Sequence, residues 1–211
     1  RAPDTNAGAM ITLNHFTKFG AGDVFFFIDF GRELDGDREN SIYGEFYPTV
    51  DLTRLALGED TERRWSLSGV AGLNLGIGTG ILLPGLRLTL PVPGFDRFGV
   101  YVLAYETFRD RRGRDFRTSW QTTLTWSLPL WREGDITWLS LSGFFDLQGD
   151  RGGGQEYKIV AQPQLRFDIG AALFDDPDRH FLGTEIRIFR NKFGVDGAHE
   201  LSPHLMYVSR F

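Results

Sequence analysis

The sequence predicts an all-β fold, a transmembrane antiparallel up-and-down β-barrel, with residues 1–211 forming one domain. Three observations carry this. Apolar and polar residues alternate with period two along nearly the whole chain, which places them on opposite faces of strands. The alternating segments reach about 10 residues or more, the length a tilted strand needs to cross a bilayer, where strands of soluble proteins average about 5 to 6. Aromatic amphipathic rings, including Trp126, Trp131, Trp138 and Tyr207, gather near segment ends, as rings at the headgroup level do. A soluble sandwich also alternates, and segment length with ring placement argues against it.

The segments run in order as Ile11–Lys18, Val24–Gly31, Ser41–Thr49, Trp65–Leu75, Ile81–Leu90, Phe98–Phe108, Phe116–Leu130, Ile136–Leu147, Tyr157–Ile169, Phe181–Asn191 and Leu201–Arg210. The pattern is plainest in Phe116–Leu130. There Trp120, Leu124, Trp126 and Leu128 share one face, and Arg117, Gln121, Thr123 and Thr125 share the other. Ala161–Ile169 repeats it, with Leu165 and Phe167 set against Gln162, Gln164, Arg166 and Asp168. Turn-forming stretches separate the segments: Asp35-Gly36-Asp37, Gly76 to Gly80, Pro93-Gly94, Arg111 to Arg114, Gly149 to Gly154, Asp175 to Asp178 and Asp196-Gly197. Single-chain bacterial barrels have an even number of strands. The expectation is therefore twelve, with a further strand in Arg1 to Met10 or before it; ten is the alternative, if one segment has been divided wrongly.

Composition removes several classes. There is no cysteine, so neither a disulfide framework nor a thiolate metal site exists. Charged residues make up 24% of the chain, yet the net charge is only -5, which leaves no basic field for nucleic acid. No apolar run approaches the roughly 18 to 20 residues of a membrane helix. Mean hydropathy lies on the polar side of zero, as it does for barrels, in which only alternate residues meet lipid. An outer-membrane protein is exported with a signal peptide, and none is present, so the sequence is expected to be a mature form.

With the apolar face against lipid, the other face lines the lumen. By parity it carries Asp23, Phe25, Phe27 and Asp29 on the second segment, and Tyr43, Glu45 and Tyr47 on the third. Asn14, Phe16 and Lys18 on the first segment belong to it, as do Arg87, Tyr101, Tyr105, Gln121, Phe144, Asp146, Gln162, Gln164, Arg166, Asp168, Glu185, Arg187, His204 and Arg210 later. The candidate solute contacts are Phe25, Phe27, Asp29, Tyr43, Glu45, Tyr47, Asp146, Arg166, Glu185 and Arg187. Both signs of charge are mixed, unlike the single-sign ring of an ion-selective pore. Rings stack on flat solutes, and carboxylates and amides bond hydroxyls and ring nitrogens. The plainer reading is that the rings fill a narrow barrel, and that Arg166 with Asp168, or Glu185 with Arg187, forms an internal ion-pair network.

The run Gly22-Asp23-Val24-Phe25-Phe26-Phe27-Ile28-Asp29, followed by Tyr43-Gly44-Glu45-Phe46-Tyr47-Pro48, resembles the opening of the nucleoside-specific channel-forming, Tsx-like, outer-membrane porins. Gln162-Pro163-Gln164-Leu165, Gly183-Thr184-Glu185, Asn191 to Gly197 and the closing strand to Phe211 are similar to that family's later parts. The resemblance implies a narrow, monomeric, twelve-stranded barrel in the bacterial outer membrane that admits nucleosides passively. It implies Phe25, Phe27, Glu45 and Tyr47 as solute contacts. The amphipathic last segment ending in Phe211 looks like the signal read by barrel-assembly machinery.

The functional expectation is thus a channel for small polar, nucleoside-like solutes, surrounded by outer-membrane lipid, with no cofactor and no nucleic-acid partner. Two alternatives stand beside it. One is a plugged structural or adhesive barrel, though the long loops that would favour adhesion are absent. The other is an outer-membrane lipid-modifying enzyme, for which the histidines are His15, His180, His199 and His204; His204 shares a face with Ser202, but no catalytic serine pattern surrounds it. The acidic turn Asp175-Asp176-Pro177-Asp178 is read as solvated in preference to calcium-binding.

Overall fold

A computed structural model of the chain describes residues 8–33, 40–59 and 64–210. Of the stretch Arg1 to Met10, expected to hold a further strand, residues 1–7 lie outside these residues and Gly8–Met10 extend the first strand; the Asp35-Gly36-Asp37 turn and the terminal Phe211 also lie outside them. Among the described residues there are twelve strands: β1 Gly8–Phe19, β2 Gly22–Glu33, β3 Asn40–Asp51, β4 Ser66–Gly76, β5 Thr79–Thr89, β6 Arg97–Asp110, β7 Ser119–Glu133, β8 Ile136–Gln148, β9 Lys158–Ala161, β10 Gln164–Asp168, β11 His180–Arg190 and β12 Glu200–Ser209. They form one sheet in which neighbours follow chain order, the up-and-down order of a β-barrel. Two short helices, α1 Leu52–Leu57 and α2 Ile169–Phe174, and a 3-10 turn at Lys192–Gly194 complete the elements. No helix among the described residues is long and apolar enough to cross a membrane.

By contact density the chain divides into two compact units. The first comprises Arg1–Arg87, Val102–Gln121 and Arg151–Gly153. Here β1 pairs with β2 and β2 with β3 in unbroken antiparallel register, and β3 pairs with β4 in one register interrupted at Tyr47 and Pro48: Phe16 lies opposite Phe25, Phe25 opposite Tyr47, and Glu45 opposite Asn74. The large apolar side chains of one face are exposed, among them Ile11, Leu13, Phe30, Ile42, Phe46, Leu75, Leu82, Leu86 and Val102. On the other face Thr49, Ser68, Asn74 and Gln121 are buried, whereas Phe16 and Phe25, toward β1, are exposed at 44% and 38%. Apolar residues share that face: Leu83 is 0% exposed and Leu103 2%, and Val70, Ile81 and Tyr105 are buried with them. Parity alone assigned this face to polar groups, so the packed aliphatic stretch is a finding of the structure.

The second unit comprises Leu88–Tyr101, Thr122–Asp150 and Gly154–Phe211. The burial pattern of β12 alternates along almost its whole length. Leu201, Leu205 and Tyr207 are exposed, Leu205 at 81%, while the intervening residues are partly covered. β9 and β10 occupy one lane between β8 and β11. They are the two parts of the expected Tyr157–Ile169 strand, and their division gives the sheet its twelfth strand. Regular pairing is interrupted at Gln162 and Pro163, where Pro163 has no N–H to donate, although Gln162 N–H still donates to Phe144 O and Pro163 O still accepts from Ile186 N, each at 3.0 Å. Opposite them, Gly143 adopts φ +153°, and a Cβ there would stand 2.4 Å from the Gln162 carbonyl oxygen. The register does not slip across the gap: Ala161 opposes Phe145 before it, and Gln164 opposes Ser142 after it.

Most segment boundaries move by one to three residues, and local side-chain contacts accompany the following differences. The strand expected to run through Ile169 stops at Asp168, whose carboxylate caps α2 by accepting from Ala171 N at 2.9 Å. α1 arises the same way, with Asp51 accepting from Arg54 N at 2.9 Å. The strand expected from Phe116 begins at Ser119; ahead of it the Phe116 ring is in contact with two guanidiniums, Arg114 at 5.0 Å and Arg151 at 4.6 Å from its centroid.

A guanidinium placed on the exposed face is expected to be costly in a bilayer. Leu205→Arg should lower folding stability in lipid vesicles by about 2–4 kcal/mol in urea titrations; an unchanged midpoint would show that Leu205 does not face hydrocarbon.

Candidate functional site

In the first unit, β2, β3 and β4 set the candidate residues side by side, because directly opposed residues share a face. Phe25 and Phe27 lie 6.1 Å apart by ring centroid, and Phe27 lies 6.0 Å from Tyr43. Beside these rings runs a hydrogen-bond chain. Tyr47 Oη donates to Asn74 Oδ1 at 3.1 Å, and Asn74 Nδ2 donates to Glu45 Oε1 at 3.0 Å. Tyr43 Oη donates to the same carboxylate oxygen at 2.5 Å. Gly72 is required here, since a Cβ would stand 2.6 Å from the Tyr47 ring. Glu45 thus accepts from two donors next to an aromatic surface. Asp29 takes a hydrogen bond from Thr12 Oγ1 at 2.6 Å.

The same face carries a closed ion pair. Arg87 grips Asp23 with both terminal nitrogens, at 2.9 and 2.6 Å, and reaches Thr49 Oγ1 and Ser68 Oγ at 3.3 Å. This bidentate geometry with extra hydroxyl partners is what a poorly solvated pair requires. Its acceptors are occupied, so it braces β2 against β5 and presents little to a solute.

In the second unit, Ser142, Gln164, Glu185 and His204 stand in one row across β8, β10, β11 and β12. Gln164 Nε2 donates to Glu185 Oε2 at 2.5 Å, and Arg166 donates to Gln164 Oε1. Arg187 lies 3.8 Å from Glu185. Among the described residues, Arg166 Nε, Arg187 Nε, His204 Nε2 and Ser142 Oγ are covered yet make no hydrogen bond. These atoms have capacity to meet a solute oxygen or nitrogen. Asp146 is buried on the same face and accepts from Thr123 Oγ1 at 2.5 Å.

Several expectations are redrawn by this geometry. Asp168 does not pair with Arg166; both its oxygens serve backbone, Oδ1 accepting from Ala171 N and Oδ2 from Asp178 N at 2.7 Å. Glu185 and Arg187 do approach as an ion pair. Asn74 links three of the candidates and was not among them. The signal for it was available, since Asn74 sits opposite in parity to Leu73 and Leu75. His180, expected in a connection, begins β11, where its ring stacks on Tyr207 and its Nδ1 lies 2.8 Å from Tyr207 Oη. Ser209 Oγ is 3.4 Å from that nitrogen, farther than the phenol. Among the described residues no group of three or more His, Asp or Glu side chains is placed to hold a metal ion.

No protein-family model matches the chain, and no curated protein matches it by sequence. Among solved structures the chain is similar to one described as a KdgM porin, with a TM-score of 0.55 and 10% identity, over 98% of this chain and 93% of that one. That likeness shows the fold: the chain has the twelve-stranded, up-and-down β-barrel architecture of a porin.

Proposed function

We propose that the chain is an outer-membrane channel through which small polar solutes diffuse passively. One observation carries the reading: large aliphatic side chains are exposed on one face of the strands, while on the other Asn74, Gln121 and Asp146 are buried and the Arg87 and Arg187 guanidiniums are largely covered. In water that arrangement places both kinds of group in the wrong medium; in a bilayer it places both correctly. The porin-type fold supports it, since the neighbour is described as a porin. Solute contacts would come from the polar face: Phe25, Phe27, Asp29, Tyr43, Glu45 and Tyr47 in the first unit, and Asp146, Arg166, Glu185 and Arg187 in the second. Weak contacts suit a channel, because a solute held tightly would not leave.

A preference for nucleosides is the finer part of the proposal. It is supported by the Phe25, Phe27 and Tyr43 rings beside the Glu45 carboxylate. A base would stack on the rings, and its N–H groups or the ribose hydroxyls would bond the carboxylate. A plugged barrel is the second reading, favoured by the complete covering of Leu83 and Leu103.

Single-channel recording in a planar bilayer separates the two. Small conductance steps blocked by adenosine but not by glucose are expected. Silent membranes containing folded protein would establish the plugged barrel, and equal block by both solutes would remove the nucleoside preference. Phe25→Ala with Phe27→Ala should raise the adenosine concentration for half-block by roughly tenfold while the barrel still resists SDS unfolding in the cold. Glu45→Gln should shift the reversal potential in a salt gradient toward anion preference; an identical potential would place Glu45 off the solute path.

A further inference from the structure

The end of β6 carries a second candidate site, outside the face discussed above. Phe108, Asp110, Arg111, Arg112, Arg114 and the β4–β5 turn at Ile77-Gly78 meet there, and a cavity of about 440 Å³ is lined by Ile77, Thr79, Asp110, Arg111, Arg112 and Arg114. The backbone is organised by a single carboxylate. Asp110 accepts from Arg112 N and Arg114 N, each at 3.1 Å, and from Arg114 Nε and a terminal nitrogen at 3.2 and 2.9 Å. Asp110 and Arg114 thereby neutralise each other inside the lining. Arg111 is fixed across the turn, its N–H donating to Gly78 O at 2.7 Å, and a Cβ on Gly78 would stand 2.5 Å from Arg111 Cβ. Gly78 has φ +81°, so glycine is needed for the backbone as well as for the space.

Two charges remain over. Arg111 and Arg112 are exposed, and neither side chain meets a carboxylate among the described residues. Their surroundings are not uniformly polar. Ile77 is 61% exposed and Phe108 54%. The Phe108 ring lies over Gly80, where a Cβ would stand 2.5 Å from it, and so shares the exposed face with Leu82 and Val102. Exposed apolar rings and chains at a strand end, followed at once by unpaired guanidiniums, match a ligand with an anionic head and a hydrocarbon body. Guanidinium forks pair bidentately with phosphate oxygens, and basic residues just beyond an apolar span favour anionic headgroups.

We propose that this cavity is a lipid-headgroup site, in which Arg111 and Arg112 hold a phosphate monoester whose acyl chains lie along Phe108 and Ile77. The inference rests on the membrane reading but does not require an open channel. Native mass spectrometry of the full chain in detergent tests it, with dioleoyl phosphatidic acid, dioleoyl phosphatidylcholine and inorganic phosphate as separate probes. Phosphatidic acid should be retained about tenfold more tightly than phosphatidylcholine. Arg111→Gln with Arg112→Gln should abolish that difference while the variant still inserts into vesicles and conducts as the parent does. Equal retention of the two lipids by the parent chain, or a preference undiminished in the variant, overturns the site. Displacement of phosphatidic acid by millimolar inorganic phosphate would make it a site for soluble phosphate and overturn the lipid assignment. A parent chain that never enters vesicles overturns this site together with the membrane reading, whereas insertion without conductance removes only the channel.

Discussion

The structure depends on one constraint: each strand must satisfy two opposite media through alternate residues. Leu201, Leu205 and Tyr207 on one side of β12 are exposed, and the residues between them are covered. In hydrocarbon every backbone polar group must find a partner in the sheet, and no helix among the described residues offers an alternative way across. The long unbroken pairing of β1 with β2 and of β2 with β3 follows from that demand. So does the distribution of charge, which is excluded from one face and has to be accommodated on the other.

Accommodation takes two forms. Asp23 and Arg87 close on each other and on two hydroxyls through both terminal nitrogens of the guanidinium, with Arg87 Nε alone making no hydrogen bond. Breaking such a pair strands a covered charge, so its value lies in holding one arrangement of strands against others. The row through Gln164 and Glu185 is different, because four of its neighbouring covered polar atoms make no hydrogen bond among the described residues, and of these only Arg187 Nε has a carboxylate within ion-pair distance. A purely structural network gains from complete satisfaction. The row around Glu185, where several covered atoms make no hydrogen bond, is the better place for a transient visitor, and the closed bidentate pair the better place for a brace.

The sheet was largely legible in the sequence, because period-two alternation has one physical cause and little competes with it. What competed was local hydrogen bonding by single aspartates. Asp168 continues the polar parity of Gln162, Gln164 and Arg166, yet it caps a helix, since Ala171 N and Asp178 N offer it better partners than a facing side chain does. Phe116 continues the alternation of β7, but two arginines capture its ring. Leu83 and Leu103 were hidden for another reason: parity says which side chains share a face and nothing about how closely that face is filled. In the site, Phe25, Phe27, Tyr43, Glu45 and Tyr47 were legible as neighbours, whereas Asn74 emerged only once β3 and β4 were paired.

The break between β9 and β10 has a mechanical consequence. Pro163 faces Gly143, the pairing thins over two residues to Gln162 N–H on Phe144 O and Ile186 N–H on Pro163 O, and the same register resumes beyond. Stitched above and below, the lane tolerates bending at its waist without creeping lengthwise, because any slide would have to break both sets of stitches together. Such a pleat lets a wall yield sideways while each side chain keeps the face on which it started.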